Sequence, residues 1–101
     1  MKYRVTLTDQ AQDDLAAIRN PVIREQITGR IDMLKTSPER GKPLRGHLTG
    51  YRSLRAARKK YRIIYRTIEN KILIIVIPIG QRKGNDFGDI YRSLERLIKR
   101  G

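Results

Sequence analysis

The chain of 101 residues carries a formal net charge of +13, because 23 lysines and arginines stand against 10 aspartates and glutamates. It has no cysteine and only one histidine, His47, which excludes a disulfide framework and a thiolate or histidine-based metal centre. The longest apolar run, Ile72 to Ile79, is too short to cross a bilayer as a helix. We therefore expect a single cytoplasmic domain over residues 1–101, without cofactor, metal or membrane contact. The excess positive charge predicts an anionic partner, and plain solubility is the alternative explanation.

The N-terminal part predicts one strand followed by two helices. Residues 2–7 alternate polar and apolar side chains, as half-buried strands do, and Thr8 or Asp9 is placed to cap the following helix. Apolar residues then recur at helical spacing up to Asn20-Pro21, where the proline ends one helix and opens the next. The second helix carries an apolar stripe and ends at Ser37-Pro38. So short a linker predicts a helical hairpin lying on a sheet.

Three further strands follow a loop over residues 39–50, in which the apolar pattern is lost. The strands are predicted over Tyr51–Arg58, Tyr61–Ile68 and Lys71–Ile79, with Glu69-Asn70 as a polar turn between the last two. The last strand is apolar on both faces, so we place it centrally, with the helices covering one of its faces.

A short amphipathic helix is predicted over residues 90–98, after a polar loop, with Asp86 or Asp89 near its start. The order of elements is therefore β-α-α-β-β-β-α. The fold class is α+β: a helical hairpin packed on a mostly antiparallel four-stranded sheet, with a short C-terminal helix.

Positive charge is concentrated between Arg40 and Ile68, where no acidic residue occurs. This window holds ten basic residues, of which seven are arginines, whose planar guanidinium binds phosphate bidentately. The concentration favours a phosphate-containing ligand over charge that serves solubility alone.

Strand alternation decides which of these cations point together. The apolar residues of the first of the three strands face the core, which turns Arg55 outward and sends Arg52 to the opposite face. Arg62 and Arg66 share one face of the next strand. We therefore predict a phosphate site on the uncovered face of the sheet, with Arg62 or Arg66 beside Arg55 and Arg82 at the rim. The alternative is that these arginines are solvated residues at the sheet edge.

Several stretches, taken in this order, resemble the RelE/ParE superfamily of bacterial and archaeal toxins. The loop GKPLRG at 41–46 leads through GYRSLR at 50–55 into YRIIYR at 61–66, and the apolar strand ends in IGQRK at 79–83. With the helical hairpin, the resemblance covers nearly the whole chain. It implies helices packed on an antiparallel sheet, and an acidic antitoxin, disordered when free, that folds as it binds and neutralises the toxin.

The superfamily resembled here contains two kinds of toxin. RelE-like members cleave messenger RNA in the ribosomal A site without a metal, through attack of the substrate's own 2′-hydroxyl on the adjacent phosphate. ParE-like members inhibit DNA gyrase by protein–protein binding. We expect the first activity, a ribosome-dependent mRNA endoribonuclease that arrests translation, because Arg62, Arg82 and a tyrosine beyond the central strand are present. Gyrase inhibition is the alternative, and a non-catalytic basic RNA-binding module is a third.

The resemblance implies catalytic roles for four residues: Arg55, Arg62, Arg82 and Tyr91. Arg62 and Arg82 match the family pattern most securely, and we assign them to binding the phosphate in the transition state. Tyr91 has the alternative role of a helix residue that packs on the sheet. We expect the basic residues around these positions to bind RNA; they are Lys42, Arg45, Arg52, Arg58, Lys59, Lys60, Arg66 and Lys83.

The proton acceptor for such a reaction is not evident from the sequence. Family nucleases often have lysine where this chain has Arg52 and Arg55, and arginine is a poor base because its pKa lies above about 12. Lys59 and Lys60 fall at a predicted turn, where solvation keeps a lysine protonated. His47 lies in a loop and is the remaining alternative.

Overall fold

The computed structural model describes residues 3–58 and 60–77, with the side chains of residues 47 and 76 excepted. The predicted C-terminal helix lies outside these residues, as do Lys59, Arg82, Lys83 and Tyr91. The strands and α-helices of the described part are β1 (Arg4–Leu7), α1 (Asp9–Ala16), α2 (Pro21–Leu34), β2 (Lys42–Pro43), β3 (Tyr51–Ala56), β4 (Tyr61–Ile68) and β5 (Lys71–Val76). Short 3-10 turns cover Pro38–Arg40 and Gly46–Leu48.

The strands form one sheet in the order β1-β5-β4-β3-β2, in which β1 pairs with β5 in parallel and the other pairs are antiparallel. The predicted mostly antiparallel sheet is confirmed, and β5 lies inside the sheet between β1 and β4, whereas the central position belongs to β4. The predicted number of four strands is wrong, because Lys42–Pro43 adds a fifth, pairing with Ser53 and Arg52 of β3. Two residues are too short to show an alternating pattern, so this edge strand is specified by its partner rather than by its own sequence.

Local capping chemistry sets the helix starts as predicted. The Thr8 side chain accepts a hydrogen bond from the Ala11 amide, and Asn20 does the same for the amides that follow Pro21. The first helix was predicted to continue to Asn20, whereas α1 ends at Ala16. Neither helix of the described part is long and apolar enough to cross a membrane.

Strand ends differ from prediction where the backbone turns. β3 stops at Ala56 rather than Arg58, because Ala57 and Arg58 have φ angles of 49° and 58°, in the left-handed region that a strand does not use. β4 keeps its predicted bounds, and the turn at Glu69-Asn70 is confirmed. β5 ends at Val76 instead of Ile79, and residues 78–79 lie outside the described part.

The two faces of the sheet carry different clusters. The face under the helices holds the main core, in which Ile27 and Leu34 of α2 pack against Ile63 and Ile72 with no exposed surface. The opposite face carries a smaller buried cluster of Leu48, Tyr51, Ile64 and Ile75. The β3 residues Leu54 and Ala56 belong to the main core, as predicted, so Arg55 between them faces away from the helices.

One buried side chain ties the α2–β2 connection to the sheet. The Tyr65 hydroxyl donates a hydrogen bond to the Pro38 carbonyl (2.6 Å) and accepts one from the Gly41 amide (2.9 Å). Arg52 adds a bond of 2.7 Å to the Gly41 carbonyl. Burial raises the pKa of Tyr65, an effect that the Gly41 bond and the Arg52 charge partly oppose. The chain before β2 is therefore held in place by β4 and β3.

We predict that Gly41→Ala destabilises the protein by about 1–3 kcal/mol, because overpacked buried sites cost that much. The backbone at Gly41 is extended (φ −73°, ψ 153°) and accepts any residue, but an added Cβ would lie 2.7 Å from the Tyr65 hydroxyl. Chemical denaturation of wild type and of Gly41→Ala measures this difference in the free energy of unfolding.

The matched control is Gly29→Ala on α2, where an added Cβ meets nothing within 4 Å. This change should stabilise the helix by roughly 0.5–1 kcal/mol. Equal effects of the two substitutions would contradict the close fit of Gly41 against Tyr65.

We predict that Tyr65→Phe costs roughly 1–3 kcal/mol at neutral pH, because it leaves the Gly41 amide and the Pro38 carbonyl without their partner. The difference should shrink at alkaline pH. A raised pKa means that the folded state binds the phenolic proton more tightly than the unfolded chain, so wild-type stability falls as the pH rises above the ordinary value of 10.0. Urea titrations of wild type and Tyr65→Phe at neutral and alkaline pH measure the two free energies of unfolding. A difference between them that stays constant with pH would refute the role given to the Tyr65 hydroxyl.

Candidate functional site

Arg55 and Arg62 are direct cross-strand partners in the β3–β4 ladder. Both stand on the sheet face away from the helices, where opposite residues have Cβ atoms about 4.5–5.5 Å apart. Like charges placed directly opposite each other destabilise a sheet, and an anion between the two guanidinium groups removes that repulsion. Of the two neighbours considered for Arg55, the register selects Arg62, because Arg66 lies opposite Tyr51 instead.

The edge strand β2 brings a lysine to the same place. Lys42 is the register partner of Ser53, two residues before Arg55 on β3, so its side chain is a diagonal neighbour of the arginine pair. The side chain is exposed. Lys42 reaches this position because the chain just before it is held by Tyr65 and Arg52.

These residues line a groove of about 400 Å³, here called the cationic groove. Its described lining has five charged side chains, all of them basic: Arg30, Arg40, Lys42, Arg55 and Arg62. Pro43, Leu44, Ser53 and Leu54 complete the lining. Guanidinium and ammonium groups around an open groove offer many hydrogen-bond donors and no charged acceptor, which is the chemistry of a phosphate site.

Arg30 is a groove residue that sequence reasoning missed. It lies on α2, outside the basic window, and its Nε donates a hydrogen bond of 3.1 Å to the Arg55 carbonyl. Arg30 therefore provides a hydrogen-bond donor to a β3 carbonyl that β2 does not pair with. This bond joins the helical hairpin to the site. The sequence did offer one sign that Arg30 lies near the sheet. It stands between the buried residues Ile27 and Ile31, and a residue in that position lies at the border of the helix's buried stripe. Arg40 was counted in the basic window but given no role.

Several predicted RNA-binding residues lie elsewhere. Arg52 points to the opposite side of β3, as predicted, and hydrogen-bonds the carbonyls of Glu39 and Gly41. The Arg66 guanidinium lies 5.1 Å from the centroid of the Tyr51 ring and bonds its hydroxyl at 3.3 Å. A buried Nε of Arg66 has no hydrogen-bond partner among the described residues. Arg45, Arg58 and Lys60 are exposed and do not line the cationic groove.

The structure thus brings together Lys42, Arg55 and Arg62 among the residues named from sequence. Lys59, Arg82, Lys83 and Tyr91 lie outside the described residues, so their relation to the groove stays a prediction. Nothing is described of the His47 side chain, and its role as a base is likewise untested.

Among solved structures, the toxin–antitoxin complex RelBE2 from Mycobacterium tuberculosis is 30% identical over 78% of this chain and 99% of that chain, with a TM-score of 0.68. A mutant of the E. coli toxin RelE in its free state is 19% identical, covering 99% of this chain and 98% of its own at a TM-score of 0.73. The chromosomal ParDE system from P. aeruginosa is 19% identical over 77% and 96% of the two chains, with a TM-score of 0.63. The last two likenesses concern the fold alone.

The family of the chain is assigned by a match to a family model. No protein of curated function matches the chain. The family described as ParE toxin of type II toxin–antitoxin system, parDE, matches residues 5–85. The match covers β1 to β5 and most of the chain, and the 30% identity to the Mycobacterium structure agrees with it. The chain belongs to the ParE toxin family of type II toxin–antitoxin systems, within the RelE/ParE superfamily.

Proposed function

We propose that this toxin is a metal-free endoribonuclease that cleaves messenger RNA on the ribosome and so arrests translation in the cytoplasm. The observation that carries the proposal is the cationic groove, in which Arg55 and Arg62 face each other across two strands and no acidic side chain lies in the described lining. Two facing arginines can bind one phosphate through several charge-assisted hydrogen bonds, which is what a site for phosphodiester cleavage requires.

The reaction is an internal transesterification. The substrate's 2′-oxygen forms a bond to phosphorus while the bond to the 5′-oxygen breaks, giving a 2′,3′-cyclic phosphate and a free 5′-hydroxyl. Negative charge grows on the phosphoryl oxygens and on the leaving oxygen, and the paired guanidinium groups of Arg55 and Arg62 stabilise it there. Arg82, assigned by family resemblance, adds to this role. Tyr91, in its phenolate form, is the proposed acceptor of the proton that the attacking 2′-hydroxyl loses.

Lys42 is the proposed donor of the proton that the leaving 5′-oxygen needs. In the described lining of the cationic groove, Lys42 is the one ammonium beside four guanidinium groups. An arginine hardly ever releases its proton, whereas a lysine exchanges one far more readily. Lys42 is the register partner of Ser53 and so lies diagonally across from Arg55, which puts it beside the proposed phosphate site.

An acidic antitoxin is the proposed partner. Solved structures similar to this chain include the toxin–antitoxin complex RelBE2 and the ParDE toxin–antitoxin system. A net charge of +13 gives an acidic segment a strong electrostatic reason to cover the groove. Such an antitoxin would neutralise the toxin by occupying the cations that hold the RNA phosphate.

Inhibition of DNA gyrase is a second candidate function, favoured by the match to the ParE family over residues 5–85. It predicts loss of supercoiling activity and DNA damage in induced cells, without cuts in messenger RNA. A supercoiling assay and an mRNA cleavage assay on the same protein preparation separate the two functions.

We predict that Arg62→Gln lowers mRNA cleavage on translating ribosomes by roughly 100- to 1,000-fold, the usual loss when one donor to transition-state charge is removed. Toeprinting of stalled ribosomes measures the cuts. Arg19→Gln removes the same charge at an exposed position outside the groove and should cut like wild type. Equal cleavage by the two variants would refute the role of the arginine pair.

We predict that Lys42→Arg keeps RNA binding but lowers the cleavage rate by about 100-fold, because it keeps the charge and removes the transferable proton. An RNA with sulfur in place of the 5′-leaving oxygen needs no such proton and should be cut by Lys42→Arg nearly as fast as by wild type. If the sulfur substrate gives no rescue, Lys42 only binds phosphate.

A further inference from the structure

A second groove lies on the other side of Arg55, between α2 and the β3–β4 turn. Its volume is about 510 Å³, and we call it the turn-side groove. Its described lining consists of Glu25, Gln26, Gly29, Arg30, Arg55, Ala56, Ala57 and Arg58. Arg30 and Arg55 line both grooves, so the two grooves adjoin at these residues.

Gly29 in this lining has no evident structural purpose. It lies inside α2 and is exposed, and an added Cβ would meet nothing within 4 Å. Its φ is not in the left-handed region, unlike those of Gly46 and Gly50. A glycine inside a helix lowers stability relative to alanine, and neither packing nor backbone conformation explains it here. The absence of a side chain at Gly29 leaves space in the turn-side groove next to α2.

The polar groups of the turn-side groove differ from those of the cationic groove. Glu25 offers a carboxylate acceptor and Gln26 an amide that both donates and accepts, while Arg58 adds a cation at the turn. Carboxylates and amides are the side chains that read the edges of unpaired nucleobases, and arginine pairs with phosphate or stacks on a base. The combination suits one nucleoside and its phosphate better than a phosphate alone.

We propose that the turn-side groove binds the RNA nucleoside that flanks the phosphate held in the cationic groove. This inference rests on the proposed function. The two grooves adjoin at Arg55 and Arg30, so an RNA strand that passes these residues as it leaves the cationic groove enters the turn-side groove with its next nucleoside. Glu25 and Gln26 contact the base edge there and give the toxin a base preference at that position.

The test is the binding of short single-stranded RNA to purified toxin, measured by fluorescence anisotropy with pentanucleotides that carry a 2′-deoxy sugar at the attacking position. Gly29→Leu fills the turn-side groove and should weaken binding by at least about fivefold, the loss that corresponds to one bound base. Val22→Leu places a leucine at an exposed position of the same helix outside the groove and should bind like wild type. Thermal melting of Gly29→Leu should show a transition at or above that of wild type.

Glu25→Ala is the second variant, because it removes only an exposed side chain. It should change the relative affinity for pentanucleotides that differ in the flanking base, while Arg62→Gln weakens all of them alike. Unchanged affinity in Gly29→Leu and unchanged base preference in Glu25→Ala would overturn the proposal.

Cleavage assays on ribosomes distinguish this proposal from the proposed function. If wild type cuts mRNA but Gly29→Leu binds and cuts equally well, the turn-side groove is refuted and the nuclease function stands. If wild type cuts nothing but binds RNA in a way that Gly29→Leu weakens, the groove is supported and the nuclease function is refuted. If wild type neither binds nor cuts, both proposals are overturned.

Discussion

The hydrogen bonds of the Tyr65 hydroxyl are the constraint on which the site depends. A buried phenol at the middle of β4 holds the Pro38 carbonyl and the Gly41 amide, and so fixes the chain just before β2. β2 has only two residues and cannot hold its own position, because a strand so short gains little from its ladder. Lys42 therefore lines the cationic groove because the buried Tyr65 hydroxyl holds the chain that precedes it.

The same arrangement explains why charge accumulates on one side of the molecule. The cationic groove gathers side chains from α2, the 3-10 turn, β2, β3 and β4, and its described charged lining is wholly basic. Gathering like charge costs stability in the free protein. That cost is removed whenever an anion is bound, so under the proposed function RNA phosphate and an acidic antitoxin would compete for one set of cations.

Local signals predicted much of the fold. Thr8, Asn20 and Pro21 mark helix starts through chemistry within a few residues of themselves, and β4 alternates strongly enough to give its bounds. Strand alternation predicted which sheet face carries Arg55 and Arg62, and the β3–β4 register then showed that the two are opposite each other. These features depend on sequence neighbours, which is why the sequence shows them.

The missed features depend on contacts distant in the chain. β2 exists because Ser53 and Arg52 pair with it, and Arg30 reaches the site because α2 crosses the edge of β3. Nothing near Lys42 or Arg30 in sequence specifies those partners. Arg52 looked like a ligand-binding cation, yet its bonds go to the carbonyls of Glu39 and Gly41, which only the folded loop presents.

The most direct measurement is a crystal structure of the toxin with a short RNA that carries a 2′-deoxy sugar at the attacking nucleotide. The account predicts one phosphate between the guanidinium groups of Arg55 and Arg62, with the Lys42 ammonium within hydrogen-bonding distance of its 5′-oxygen. RNA bound with its phosphates away from the cationic groove would contradict the account.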